Sequence, residues 1–177
     1  MIVFKFRLTR EEYYQYNYYT AWSAPSRKKY RIMYFLRVLL LYGAVALLYI
    51  ISTHSHIIWI DVSVFVFTGL VYLLLVPFFI RRSVHRRVAD ILSKKENQHV
   101  LDEAEIVLSD TGILDKDAVS ESRYDWDAIV QFAETPDSYY LYTNSYHAIV
   151  IPKRVIRDDA GLKEAERLFD SHLPLQA

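Results

Sequence analysis

Ile2, Phe4, Phe6 and Leu8 alternate with Val3, Lys5 and Arg7, the period-two pattern of a half-buried strand. Thr9 follows, with Glu12 three residues on, a capping box that opens a helix. That helix packs Tyr13, Tyr14, Tyr16, Tyr18 and Tyr19 into seven positions ahead of Trp22. Tyr14, Tyr18 and Trp22 share one side and Tyr13 and Tyr16 another, so aromatic surface covers a wide arc.

Two apolar runs come next. Ile57–Ile80 is 24 residues with one charge, Asp61, near its start, and Val62–Ile80 has none. About 20 apolar residues span a bilayer core as a helix. The 14 Val, Leu, Ile or Phe of Val62–Ile80 contribute roughly −4 to −8 kcal/mol of insertion free energy. The earlier run, Ile32–Ile51, holds Arg37 five residues inside one end, where its long side chain reaches the interface. Its apolar residues supply roughly −4 to −7 kcal/mol against at most about +3 for a central Arg, so it inserts as half of a hairpin. The link Ser52–His56 has no Lys or Arg. Arg27, Lys28, Lys29 and Arg31 precede the first span, and Arg81, Arg82, Arg86 and Arg87 follow the second. The positive-inside rule therefore puts both termini in the cytoplasm of a multi-pass inner-membrane protein. Tyr30, Tyr34, Trp22 and Trp59 sit where rings favour the headgroup layer. The first apolar run lies too far from the start, with no small-residue cleavage site after it, for a removable signal peptide.

Residues 81–100 carry a helical stripe, Val84, Val88, Ile91 and Leu92, expected to continue the second span as a basic helix. From residue 101 the pattern is short strands and turns: AEIVLS, the turn Asp110-Thr111-Gly112, GILDKD, AVSESRYDW, AIVQFAE, SYYLYT and YHAIVIP. A C-terminal helix capped by Asp158 or Asp159 follows, with Leu162, Ala165, Leu168 and Phe169 on one face. The expected fold is a membrane helical hairpin plus a cytoplasmic α+β domain, a small antiparallel sheet or barrel closed by a helix. Residues 101–177 are few for a core. Residues 1–31, the strand and tyrosine helix, are therefore expected to complete that domain, with 32–80 the hairpin and 81–100 the basic extension.

Charge sharpens the division. The net charge is zero, yet residues 1–31 carry +5, 81–100 carry +4 and 101–177 carry −9. An acidic domain is repelled by anionic lipid, so a protein partner or a second copy is favoured over a lipid ligand. Rings beside basic residues also describe a single-strand nucleic-acid platform. Topology already accounts for those basic residues, so no nucleic-acid partner is expected.

No reaction centre emerges. There is no cysteine, which excludes disulfides and thiolate metal sites. Four glycines form no phosphate loop, and no serine sits in a nucleophile elbow. His54 and His56 are two ligands without a third. Asp61, near the outer interface, is about 15 Å from Arg37 along the helices at 1.5 Å per residue, too far to pair. Asp125 and Asp127 flank Trp126, and the acids of 102–127 read as a solvated surface. No catalytic, cofactor or metal residues are assigned.

LTREEYYQYNYY, the apolar hairpin, LSDTGI, SRYDWDAIVQFAET and YYLYTNSYHAIVIPKR together resemble the YcxB-like family of bacterial membrane proteins. That resemblance implies two transmembrane segments and a C-terminal domain similar to bacterial pleckstrin-homology domains. It implies no enzymatic activity, and it makes Trp126, Ile129, Pro152 and Lys153 structural markers. The expectation is a non-enzymatic, membrane-anchored interaction module without a cofactor. Alternatives are a membrane immunity or stress-protective factor, and a membrane enzyme or ion carrier using Asp61 with His54 or His56.

Overall fold

The computed structural model describes residues 1–53, 57–156 and 158–173. The elements in chain order are β1 (Ile2–Arg7), α1 (Arg10–Tyr18), α2 (Lys28–Thr53), α3 (Ile58–Ser93), β2 (Glu103–Ser109), β3 (Gly112–Lys116), β4 (Glu121–Tyr124), β5 (Gln131–Glu134), β6 (Ser138–Tyr142), β7 (Ala148–Pro152) and α4 (Asp159–His172). They fall into two compact units, Met1–Tyr16 with Val88–Ala177, and Asn17–Arg87.

In the first unit β1 joins a four-stranded antiparallel sheet in the order β1-β2-β3-β4. The 95 residues from Leu8 to Asp102 separate β1 from its partner. Both faces set the register. Phe4 lies opposite Ile106 and Phe6 opposite Ala104 on the inner face, and Lys5 opposite Glu105 and Arg7 opposite Glu103 on the outer one. The ammonium of Lys5 is 3.0 Å from Glu105. A one-residue slip would put Phe4 and Phe6 in water. The basic residues of β1 are thus matched by acids of β2, which locally cancels the charge asymmetry of the sequence.

A two-residue turn, Asp110-Thr111, leads into β3, and Gly112 follows it at φ +150°. A Cβ there would stand 2.5 Å from the Tyr124 carbonyl oxygen, so only glycine fits.

Strands β5-β6-β7 form a second antiparallel sheet. No ladder joins it to the first among the described residues. Of the two expected forms, sheet or barrel, no closed barrel forms among the described residues, and the strands make two open antiparallel sheets. The chain passes between them through a 3-10 turn, Trp126–Ala128, where intra-turn bonds replace strand pairing. The two sheets share one core with α4. Phe4, Phe6, Ile106, Leu108 and Ile113 come from the first sheet, and Tyr139, Leu141, Ile149 and Ile151 from the second. Ala165, Leu168 and Phe169 come from α4. The Phe169 ring lies 5.0 Å from Phe132, 5.1 Å from Tyr139 and 6.4 Å from Trp126. A buried Phe of this kind stabilises by about 1.5–3 kcal/mol. Asp158 caps α4 by accepting from the Gly161 N–H at 2.7 Å.

The capping box forms as read: Thr9 Oγ1 accepts from the Glu12 N–H at 3.1 Å, and Glu12 Oε2 from the Thr9 N–H at 2.8 Å. Helix α1 buries Tyr14 and Tyr16. The Tyr16 ring packs 5.7 Å from Tyr140 on the far face of the second sheet. Its hydroxyl donates to the Tyr146 carbonyl at 2.6 Å and accepts from the Ala148 N–H at 3.1 Å. Tyr140, Tyr142 and Val150, which point away from α4, are buried as well. The Glu12 carboxylate also receives Arg154, from Nε at 2.5 Å and Nη2 at 2.9 Å, and Nη2 reaches the Arg7 carbonyl at 2.8 Å. Burial pushes the Glu12 carboxyl up, but the bonds from Arg154 and Thr9 outweigh it and hold the group below its ordinary value.

In the second unit α2 and α3 run antiparallel. Tyr34 meets Tyr72 through hydroxyls 3.0 Å apart, whereas Tyr49 stacks edge-on against Phe65, earlier in α3. Tyr42 donates to the Phe65 carbonyl at 3.0 Å and bonds Thr68. Both helices are long and apolar enough to cross a membrane, and 0% and 6% of their most apolar windows are buried. Pro77 sits inside α3 without ending it. The basic extension stops earlier than read: α3 ends at Ser93, where Lys94 turns to extended backbone and the Asn97 side-chain amide donates to the Ile91 carbonyl. A 3-10 segment, Lys95–Leu101, then leads to β2.

Replacing Tyr16 by Phe leaves the Tyr146 carbonyl and the Ala148 N–H without that partner. The expected loss is about 1–3 kcal/mol, read as faster amide exchange at Ala148 and an earlier denaturation midpoint; unchanged exchange would show that the hydroxyl contributes nothing. Because the folded value of Glu12 is depressed, its stabilisation is complete above the ordinary value of 4.5 and is lost as pH falls through the lower folded value. Glu12→Gln keeps the capping box but removes the charge facing Arg154. It should cost about 1 kcal/mol at pH 7 and flatten part of the acid limb of a stability–pH curve, and an unaltered limb would refute this assignment.

Candidate functional site

The basic residues flanking the apolar helices play unequal roles. Arg27 Nε donates to the Thr20 carbonyl at 3.1 Å, and Arg31 Nη1 donates to the carbonyls of Trp22 and, at 3.2 Å, Ala24. These two residues satisfy the end of a π-helical turn, Tyr19–Ser23. Lys28 and Lys29 are exposed at the start of α2, and Arg82, Arg86 and Arg87 are exposed along α3. Arg81 lies 5.4 Å over the Tyr18 ring. Trp22 packs edge-on with Tyr34 and Phe35, while Trp59 is exposed.

Arg37 is exposed, and no ion pair joins it to Asp61 among the described residues. Asp61 is half-buried in the first turns of α3, where its Oδ2 has no hydrogen-bond partner among the described residues. His54 and His56 lie outside the described residues. Among the described residues no three His, Asp or Glu groups gather as metal ligands.

The four markers lie around the core. Trp126 is buried, donates from Nε1 to the Ser109 carbonyl at 2.8 Å, and stacks parallel on His172 at 5.0 Å. Its indole thus ties the turn between the sheets to β2 and to the end of α4. Ile129 is half-buried and closes that turn through its N–H. Pro152 is fully buried opposite Ser138, where a ladder ends and its missing N–H costs nothing. Lys153 reaches Glu134 at 2.5 Å and lies 4.7 Å over the Tyr139 ring. Burial, then the charges of Glu134 and Glu166, push the Tyr139 hydroxyl up to about 12, so it stays neutral at physiological pH.

Three features escaped the sequence reading. Asp115 shares the inner face of the first sheet with Ile113 instead of joining the solvated acids. Burial, then the charge of Asp117, raise its carboxyl, and His147 acts the other way. The clamp of Arg154 on Glu12 joins residues 142 apart in sequence; its only prior signals were a capping-box acid and an arginine in YYLYTNSYHAIVIPKR. Finally, a groove of about 650 Å³ runs along β1, lined by Met1–Lys5 on one side and by Val155, Ile156, Asp158, Ala160, Gly161 and Glu164 on the other.

Neither the curated proteins nor the solved structures gave a match. The family model described as YcxB-like protein matches residues 108–168, from the end of β2 to α4. The apolar helices and β1 lie outside the matched stretch. Residues 108–168 of this chain are therefore YcxB-like, the family that the sequence motifs resemble.

Proposed function

We propose that the chain is an integral membrane protein whose α2–α3 hairpin crosses the cytoplasmic membrane twice. It holds a pleckstrin-homology-like domain on the cytoplasmic side as a protein-interaction module, with no catalytic step and no cofactor. One observation carries this reading: two helices whose most apolar windows are 0% and 6% buried are inserted between strands that pair with each other. In water such surface would be far larger than soluble proteins leave uncovered, whereas in lipid it is solvated. Because Arg7 and Glu103 are strand partners, the chain returns to the side from which it left, which two crossings satisfy. Basic residues at both outer ends then orient that side toward the cytoplasm.

Four strands, three strands and a closing C-terminal helix are what a pleckstrin-homology-like reading asks of this domain. The YcxB-like match over 108–168 supports it. The interaction role is favoured by the net charge of −9 over 101–177, which disfavours anionic lipid as the ligand.

The chain has no cysteine, so single reporters test the topology. Thr53→Cys should react with an impermeant maleimide in intact cells, and Lys95→Cys only after permeabilisation; the opposite pattern, or release of the chain by alkaline wash, would sink the membrane reading. A photo-reactive residue placed in turn at Val3, Val119, Val130 and Lys163 should yield protein adducts from at least one position, and none from any would end the interaction role.

A further inference from the structure

Within that reading, on which this inference rests, we propose that the free edge of β1 is the docking site. It takes an extended protein segment that adds to the four-stranded sheet as a fifth strand. The segment places a carboxylate beside Lys5 and an apolar side chain beside Val3.

Among the described residues four strands lie at sheet edges: β1, β4, β5 and β7. Strands β4 and β5 have four residues each, and β7 is buried throughout and ends in Pro152. By contrast β1 pairs over six consecutive residues with no bulge and no proline. Natural sheets usually shorten, bend or cover such an edge. Its outward backbone groups from Ile2 to Phe6 have no hydrogen-bond partner among the described residues, and the 650 Å³ groove lies directly alongside. Met1 to Lys5 extend over about 13 Å at strand rise, room for four or five added residues.

The outer face of the sheet specifies what the added strand carries. Opposed residues form the row Lys5, Glu105, Lys116, Glu121, alternating in sign from strand to strand. The next row is Val3, Val107, Leu114 and Arg123, apolar over the three strands nearest the β1 edge. Continuing both rows past β1 calls for an acid next to Lys5 and, two residues away, an apolar side chain next to Val3. Lys5 remains largely exposed beyond its pair with Glu105, so its ammonium can take a second carboxylate. Intervening residues of the segment would face Val155, Ile156, Ala160 and Gly161, with the carboxylates of Asp158 and Glu164 also in the lining, and must be small and carry no negative charge. A second copy fits poorly. Residues 2–7 contain Lys5 and Arg7 but no acid, so pairing β1 with itself sets cations against cations or leaves them unmatched.

The test uses the full chain in phosphatidylcholine nanodiscs. The probe is a blocked peptide, threonine-valine-alanine-glutamate-alanine-valine-threonine, whose valines flank the glutamate so that either strand direction meets Val3. Amide exchange across Ile2–Phe6 should slow saturably. Replacing the peptide glutamate by lysine should weaken binding about fivefold, a comparison that leaves the protein unaltered. The preference should invert in Lys5→Glu. Unchanged exchange at millimolar peptide, equal binding of the two peptides, or protection produced by the chain's own dimerisation would each overturn the proposal. Photo-adducts at Val119, Val130 or Lys163 with none at Val3 would remove the edge while leaving the interaction module standing. Adducts at none of the four positions would remove both.

Discussion

The pairing of β1 with β2 is the constraint on which the rest depends. A six-residue strand at one end of the chain must find its partner after 95 intervening residues. Closing so long a flexible loop would cost more than a hairpin turn, although the cost grows only with the logarithm of length. The inserted segment is not a flexible loop. It is an antiparallel pair of helices that brings its own ends back together, so the effective separation is much smaller. The lattice of Phe4, Phe6, Ile106 and Ala104 inside and Lys5, Arg7, Glu105 and Glu103 outside then leaves one register.

Once β1 is in place, the core and the tyrosine helix follow. Phe4 and Phe6 supply inner-face surface that the segment after α3 lacks, which is how so short a segment sustains a core. Thr9 starts α1 directly behind β1, so Glu12 meets Arg154 and Tyr16 reaches the β6–β7 loop. The aromatic cluster that suggested a membrane interface or a nucleic-acid platform has a structural task at Tyr14 and Tyr16, which are buried in the sheet domain. Phe169 plays the matching part in α4, packing against the Trp126 ring of the turn between the sheets and the Phe132 and Tyr139 rings of the second sheet.

Much of the secondary structure was legible because its signals are local. The alternation at Ile2–Leu8, the capping box of Thr9 and Glu12, the turn ending in Gly112 and the Asp158 cap each act within a few residues, and each forms. The basic extension ran short because Asn97 competes for the Ile91 carbonyl, a side-chain bond with no periodic signature. Strand length was overread at AVSESRYDW because Trp126 turns into the core and its indole bonds the Ser109 carbonyl.

By itself the sequence determined two apolar helices, their charged flanks, a late run of short strands with a capped helix, and the YcxB-like character of residues 108–168. Composition and short-range periodicity suffice for these, since each depends on neighbours within a turn or two. Only the tertiary structure decided that the strands form two open sheets, that Arg154 clamps Glu12, that Asp115 faces inward, and that β1 stands at an open edge beside a groove. All four depend on which distant residues come to lie opposite one another, and strand pairing at long range leaves no period in the chain to read.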